Sequence, residues 1–312
     1  MIINTGQRTD IPAFYAPWFI NRVRAGFVLT RNPFNPKRVT RYRLDPDVVD
    51  ALIFCTKNPA PLLPHLAELG RFRMFWFVTI TPYGPEIEPG VPDKDEVIDS
   101  FRRLSRAVGK NAVSWRYDPV FITDRYSLDF HREAFSRMAS RLRGYTDQAV
   151  ISFIDLYEKT VRNFPEARAV TAPERIEIAK SFAAAAAENG MTVRSCFEGD
   201  GLVPYGINAD GCLTQDVLER GIGAKLDLPS GYRNTVRPGC SCVMGSDIGH
   251  YNTCRHFCLY CYANYDRAAV LRNSALHDPE SPLLTGRLSP DDEVFDAAQE
   301  SWISGQLSFD FL

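Results

Sequence analysis

The stretch Cys254-Arg255-His256-Phe257-Cys258-Leu259-Tyr260-Cys261 places three thiols at C-x3-C-x2-C spacing, with an aromatic residue just before the third. Three thiolates this close can each hold one iron of a [4Fe–4S] cube, leaving the fourth iron without a protein ligand. Such an open iron can bind and polarise a small molecule, whereas a four-cysteine site is closed. The pattern therefore points to a reactive cofactor. Zinc is the competing reading: His250 or His256 with the three cysteines would complete a Cys3His tetrahedron. Zinc knuckles usually come as two C-x2-C pairs, and only one x2 spacing occurs here.

Working outward, Ser246–Asn252 reads as a strand leading into the run, and the chain after Tyr262 reads as helical to about Leu276. Further upstream, short apolar runs alternate with helical patterns. Strands are expected at Ile2–Thr5, Ala51–Cys55, Phe72–Ile80, Ala112–Ile122, Ala149–Leu156 and Thr192–Phe197. Most are near-continuous apolar runs, as in parallel strands covered on both faces. Between them, Asp93 is placed to cap a helix with Glu96 answering it, and Val97, Ile98, Phe101, Leu104 and Val108 form its apolar stripe before Gly109. Ser127 caps a second helix with the stripe Phe135, Met138 and Leu142. Pro173 opens a third that runs through Ala183–Ala187 to Gly190. Repeated βα units give an α/β fold, either doubly wound or a barrel. The first turn, Thr5-Gly6-Gln7-Arg8-Thr9-Asp10, lacks a Gly-rich dinucleotide loop. The expectation is a parallel (βα) barrel, complete or partial. Its core would span 1–198, a loop-rich cysteine-containing segment (199–276) would complete it, and 277–312 would form a tail.

The 312 residues carry a net charge of −2, with 45% hydrophobic and 24% charged residues. That balance suits an ordinary globular core and excludes a strongly basic nucleic-acid footprint overall, while allowing a local patch. No apolar run is long enough to span a membrane and no signal peptide is evident, so the expectation is a cytoplasmic protein with no membrane partner. In a reducing compartment its eight cysteines are not expected to form disulfides. Five of them, Cys240, Cys242, Cys254, Cys258 and Cys261, crowd into 22 positions, which favours metal over packing.

The succession of strand end, C-x3-C-x2-C and helix resembles the radical S-adenosylmethionine enzymes, in which an aromatic residue, here Tyr260, usually precedes the last cysteine. The resemblance implies that Cys254, Cys258 and Cys261 ligate a [4Fe–4S] cluster whose open iron binds S-adenosylmethionine. One electron, from a flavodoxin- or ferredoxin-like donor, would cleave the sulfonium and yield a 5′-deoxyadenosyl radical. Most members carry the motif after their first strand, whereas here it lies near the C-terminus. A circular permutation accounts for this, because a closed or nearly closed barrel brings first and last elements together. The lead-in Asp247–Cys254 and the exit Cys258–Ala263 resemble a bacterial family of uncharacterised function with the motif in this place.

Cys196, Cys212, Cys240 and Cys242 are enough for a second, closed site holding an auxiliary [4Fe–4S] cluster or a structural zinc. Alternatively some are free thiols packed in the interior, or Cys196, at a strand end, donates a hydrogen atom to a substrate radical. Cys55 reads as core.

In a parallel barrel, chemistry gathers at the carboxyl ends of the strands. Thr56 and Lys57 end one strand, Thr79–Tyr83 another, and Arg116, Tyr117 and Asp118 interrupt a third. Arginine or lysine there can pair with a carboxylate, such as that of S-adenosylmethionine. The order of a Thr-Lys turn and an Arg-x-Asp-Pro element is similar to spore photoproduct lyase, which implies that Thr56, Lys57, Arg116 and Asp118 contact the cofactor. It leaves Tyr117 as a catalytic candidate. The plainer readings are a buried Arg116–Asp118 ion pair and a solvated Lys57. Glu158 and Glu198 follow later strands, and His65, His131 and His277 read as surface or satisfied core.

The tail Gly305-Gln306-Leu307-Ser308-Phe309-Asp310-Phe311-Leu312 is similar to the short peptides that bacterial DNA-processing proteins insert into the sliding clamp. A segment docked on its own domain is the simpler reading. With the photoproduct-lyase resemblance it suggests DNA as a partner and a nucleic-acid lesion or modification as substrate. The rival from another class is a non-catalytic metal-binding module that organises a contact surface.

Overall fold

A computed structural model describes residues 1–230, 232 and 240–305 of the chain. In chain order the elements are β1 (Ile2–Asn4), α1 (Ile11–Phe14), α2 (Ala16–Ala25), β2 (Phe27–Arg31), β3 (Arg38–Arg43), β4 (Ala51–Thr56), α3 (Leu66–Leu69), β5 (Met74–Thr79), α4 (Lys94–Val108), β6 (Val113–Val120), α5 (Leu128–Leu142), β7 (Gln148–Phe153), α6 (Glu158–Asn163), α7 (Ala172–Glu188), β8 (Thr192–Ser195), β9 (Ile207–Asn208), α8 (Gln215–Ile222), β10 (Ser246–Asp247), α9 (Arg267–Ala275) and β11 (Glu293–Asp296).

Eight strands form one parallel sheet in the order β10-β1-β4-β5-β6-β7-β8-β9. From β1 onward each strand joins the outer edge of the one before it. There is no reversal of order, and hence no doubly wound switch point. Among the described residues no ladder joins β9 to β10, so the sheet is open rather than a complete barrel. The late strand β10 lies beside β1, with Ile3 opposite Ser246 and Asn4 opposite Asp247. The strand that leads into the cysteine run thus precedes β1 in space although it follows it in sequence. A second sheet, β11-β3-β2, was not expected from the sequence.

Side-chain alternation divides the sheet into two faces. Leu52 and Phe54 of β4, Trp76 and Val78 of β5, and Trp115 and Tyr117 of β6 point to the large core, against Trp18, Phe101, Phe135 and Phe182 of α2, α4, α5 and α7. Ile53 of β4, Phe75 and Phe77 of β5 and Val150 of β7 point the other way, against Val217 and Leu218 of α8. Right-handed crossovers in a singly wound sheet put the connecting helices on one side, which leaves the opposite face to the loop-rich segment.

The helix ends follow the sequence signals. Ser127 accepts from Phe130 N at 3.3 Å, and Thr171 with Glu174 forms a capping box. At α4 the Asp93 side chain accepts from Asp95 N at 2.8 Å, one residue short of the expected box with Glu96. The strand expected at Ser246–Asn252 is only β10, because the Asp247 carboxylate takes Gly249 N at 2.7 Å and Asn252 turns to φ 56°. At the end of β6 the register with β7 shifts between Tyr117 and Val120, where Pro119 has no N–H to give.

Candidate cofactor site at the carboxyl edge of the sheet

The loop that leaves β10 lies across the carboxyl ends of β1, β4 and β5. Asp247 starts it: its carboxylate accepts from Gln7 N at 2.6 Å and from Arg8 Nε at 2.8 Å. The buried Thr253 hydroxyl donates to His250 O at 2.6 Å and lies 2.7 Å from Thr9 Oγ1, and Tyr15 OH donates to Thr253 O at 2.7 Å. Leu259 N donates to Ile87 O at 3.0 Å. His256 is 1% exposed, with Nε2 2.8 Å from Asp10 Oδ2 and Nδ1 2.9 Å from Gly90 O. Both ring nitrogens face acceptors, so His256 is not free to ligate a metal. Gly90 N donates in return to His256 O at 2.8 Å. A Cβ at Gly90 would fall 2.2 Å from Arg255 O, so glycine is what lets these loops touch.

Asp10 links three parts of the site. One oxygen caps α1 through Ala13 N at 3.0 Å, and the other also accepts Lys57 N at 2.7 Å. The Lys57 side chain runs to Glu88, 2.9 Å from Oε1, where Thr81 Oγ1 donates at 2.6 Å and Tyr260 OH also donates. Lys94 donates to Glu88 Oε2. A wholly buried carboxylate is therefore gripped by two ammonium groups and two hydroxyls. Burial alone would raise its pKa, but Lys57 and Lys94 pull it down to about 2. Burial also works against the charge on Lys57, yet Glu88 and Cys258 hold its pKa above the usual value; for Lys94 burial prevails and lowers it. Two lysines against one carboxylate leave one positive charge in excess beside Cys258.

Cys254, Cys258 and Cys261 are half-buried free thiols. Burial pushes all three up, while the His256 N–H on Cys254 and the Ala263 and Asn264 N–H groups on Cys261 favour the thiolate, as does Lys57 near Cys258 and Cys261. Among the described residues no three His, Cys, Asp or Glu side chains converge tightly enough to hold one metal ion. A cube makes a different demand, one thiolate per iron corner. The donor set fits that demand: three unpaired thiols on one short loop, with N–H donors on two of the sulfurs and a surplus cation at the third.

The other sequence candidates divide by face. Arg116 and Asp118 point to the α8 side and pair, Nε to Oδ2 at 3.0 Å, with Ser152 Oγ also donating to Asp118. Burial opposes the Asp118 charge, but Arg116, Ser152 and Lys57 hold its pKa below the usual range. Lys57 acts electrostatically on both Cys258 and Asp118, so the cation row runs from the cysteine loop to the β6 pair. Tyr117 points the opposite way. It is wholly buried in the helix-side core, 2.7 Å from His131 Nδ1, away from the other candidates. The Thr56 hydroxyl accepts Asn58 N at 2.9 Å and shapes the turn after β4. Cys55 is half-buried against the α8-side core, with its thiol pushed up to about 12 by burial. Glu198 accepts Phe153 N at 2.8 Å and Arg175 Nη1 at 2.9 Å, and burial raises its pKa to about 7. Glu158 is exposed in the first turn of α6.

Cys196, Cys212, Cys240 and Cys242 come together on the α8 side, with Cys212 and Cys242 Sγ 3.2 Å apart. Sequence reading missed Asp10, Glu88, Gly90 and Lys94. Asp10 before Pro12 carries an N-cap signal, but Glu88 and Gly90 lie in a Pro- and Gly-rich loop with no periodic pattern to mark them. Residues 306–312, which carry the clamp-like tail, lie outside the described residues. Among the described residues no helix is long and apolar enough to cross a membrane.

A family model described as a domain of unknown function, DUF1848, matches residues 2–263, a span that covers the large sheet and the whole cysteine loop. No curated protein matches the chain.

Proposed function

We infer that this chain, which belongs to the DUF1848 family, is a radical S-adenosylmethionine enzyme with Cys254, Cys258 and Cys261 as its cluster ligands. The observation that carries the reading is the C-x3-C-x2-C loop itself, led in by β10 beside β1 and laid over the carboxyl ends of a singly wound parallel sheet. In this reading the sheet is a partial, circularly permuted barrel. A [4Fe–4S] cluster bound there would supply one electron for reductive cleavage of S-adenosylmethionine, giving a 5′-deoxyadenosyl radical that abstracts hydrogen from the substrate.

The chain's own residues bind and orient. The surplus charge of Lys57 and Lys94 over Glu88 offsets the anionic loop and offers a partner to an amino-acid carboxylate. Arg116 and Asp118 present a donor and an acceptor on the α8 side of the same mouth. Tyr260 packs near Tyr83 and Phe121, with ring centroids 6.1 Å away in each case, and excludes water from the loop's inner side. The resemblance to spore photoproduct lyase supports a nucleic-acid lesion or modification as substrate. A flavodoxin- or ferredoxin-like protein is the fitting electron donor, and the tail is the segment through which a sliding clamp would be met.

The test is anaerobic reconstitution with iron and sulfide, then dithionite and S-adenosylmethionine, with product analysis. Wild type should form 5′-deoxyadenosine and Cys258→Ala should form none. Zinc in place of iron, or an iron-loaded protein that leaves S-adenosylmethionine intact, would establish a metal-binding module instead.

A further inference from the structure

The cysteines on the α8 side lie outside both the loop of Cys254–Cys261 and the Glu88 network. They come from three distant stretches: Cys196 follows β8 directly, Cys212 lies in the turn before α8, and Cys240 and Cys242 come from the segment before β10. Two of them face each other. Cys212 and Cys242 are each 2% exposed, belong to the core cluster on the α8 face of the sheet, and bring their sulfurs to 3.2 Å. Cys196 and Cys240 are half-buried and pack against the same cluster.

The two segments are clamped on both sides of this contact. Ser241 Oγ donates to Asp210 O just before it, and Val243 N donates to Leu213 O at 2.9 Å just after it. Leu213 N also donates to Cys242 Sγ at 3.4 Å. Arg194 Nη1 steadies the turn, donating to Gly211 O at 3.1 Å and to Asn208 Oδ1 at 3.2 Å. Gly211 has φ 118°, and a Cβ there would come within 2.7 Å of Ser241 Oγ, so glycine is what lets the segments approach. Thiols packed only for their bulk need no such register. A disulfide holds its sulfurs about 2.0 Å apart. From 3.2 Å the remaining gap is about an ångström, a distance that side-chain rotation closes with both backbones in place.

We propose that Cys212 and Cys242 are a peroxide-reactive dithiol, which closes to a disulfide and fastens the turn before α8 to the approach of β10. Attack begins at Cys242, whose sulfur receives the Leu213 N–H, and the Arg194 guanidinium acts electrostatically on both sulfurs. Both influences favour the thiolate, the reactive form. The Cys242 thiolate attacks one oxygen of hydrogen peroxide, the O–O bond breaks, and the departing hydroxide takes a proton to become water. Cys242 then carries a sulfenic acid. Cys212 gives up its proton and attacks that sulfur. The S–S bond forms, the S–O bond breaks, and hydroxide again leaves as water. Two thiols have passed two electrons to one peroxide, giving one disulfide and two waters. Hydrogen peroxide is little larger than water, and the wall meets solvent at half-buried Cys240, two residues from Cys242. The cysteines are 30 positions apart, so the bond ties two stretches that the chain alone leaves independent. Since β10 runs on into the cysteine loop, the bond also anchors the base of that loop.

Peptide mapping of the full chain tests this. Reduced, iron-free protein is treated with about one equivalent of hydrogen peroxide, unfolded in iodoacetamide and digested without reductant. The peptides of Cys212 and Cys242 should be recovered joined, the intact mass should fall by about 2 Da for the two hydrogens lost, and dithiothreitol should reverse both. The pair is overturned if Cys212 and Cys242 are recovered alkylated, or bonded to Cys196 or Cys240 instead of to each other. In Cys212→Ser the sulfenic acid has no partner, so dimedone should trap it on Cys242, and no adduct there would overturn the assigned attack. The disulfide form should melt several degrees above the reduced form. Equal melting temperatures would show that the bond fastens nothing. If the serine variant does not fold, the wild-type map decides. Every readout is taken without iron, so its outcome is separate from any S-adenosylmethionine chemistry.

Discussion

At the scale of single residues, Glu88 is the group on which the candidate site turns. It is wholly buried, and every one of its partners comes from a different place: the β4 end, its own loop, the start of α4 and the cysteine loop. Removing one side of a buried ion pair costs about 3–5 kcal/mol, because the other charge stays behind unpaired. Glu88→Gln leaves two lysines facing each other, with Lys57 already beside Cys258. The expected result is a loss of that size in urea unfolding, together with poor retention of reconstituted iron. A variant as stable as wild type and fully loaded would show that Glu88 holds nothing in place. Spacing of cysteines is local information and was legible, whereas Glu88 is defined by partners that only folding supplies. Lys57 was legible as a strand-end lysine, but its burial was not: its side chain is 13% exposed, not solvated. Tyr117 was singled out between Arg116 and Asp118, and strand alternation turns it to the opposite face.

At the scale of elements, β10 carries the most consequence for its length. Two residues of ladder would hold little by themselves. The Asp247 carboxylate reinforces them by accepting Gln7 N, Gly249 N and Arg8 Nε, which locks the end of β10 to the turn after β1. Hydrogen bonds to a charged group contribute about 1.5–3 kcal/mol each, less when they share one carboxylate. Asp247→Ala should therefore lower unfolding free energy by about 3 kcal/mol and loosen the cysteine loop, read as faster amide exchange at Thr253 and Cys254. Unchanged exchange there would mean that β10 is held from elsewhere. The longer helices were readable from their caps and stripes, and six strands of the sheet from apolar runs. The ribbon β2-β3 and its partner β11 were not, since Arg38–Arg43 carries three arginines among its residues and no continuous apolar run.

At the scale of the whole molecule, buried titratable groups set the response to acid. His131 is held neutral in the helix-side core, with Nε2 2.8 Å from Phe121 O, and burial lowers its pKa to about 4. The unfolded chain takes up that proton near pH 6.5, so stability falls as pH drops from there to about 4, by roughly 3 kcal/mol. Glu88 adds a second loss. Its folded pKa of about 2 lies below the unfolded value of 4.5, so the stability it contributes is complete above pH 4.5 and disappears towards pH 2, again roughly 3 kcal/mol. Glu198, with a folded pKa of about 7 against an unfolded 4.5, gains stability over the same window as His131 and offsets that loss. The His131 contribution is therefore read as a difference: in urea unfolding between pH 7 and pH 4, His131→Asn should gain stability relative to wild type as pH falls, with the more acidic limb unchanged. A variant with the wild-type slope would assign the proton to another group.

By itself the sequence determined the alternation of strand and helix, the ends of most elements, the three-thiol spacing and the absence of a dinucleotide loop. These depend on periodicity, caps and motif spacing within a few neighbouring residues. Only the tertiary structure decided that β10 lies beside β1 and that, among the described residues, no ladder closes the eight-stranded sheet. It alone brought Cys196, Cys212, Cys240 and Cys242 into one wall, and it alone set Glu88 between two lysines under the cysteine loop. Such pairings join residues tens to hundreds of positions apart. Their partners are chosen by packing and by the need to satisfy every buried charge, and no local pattern in the chain encodes that choice.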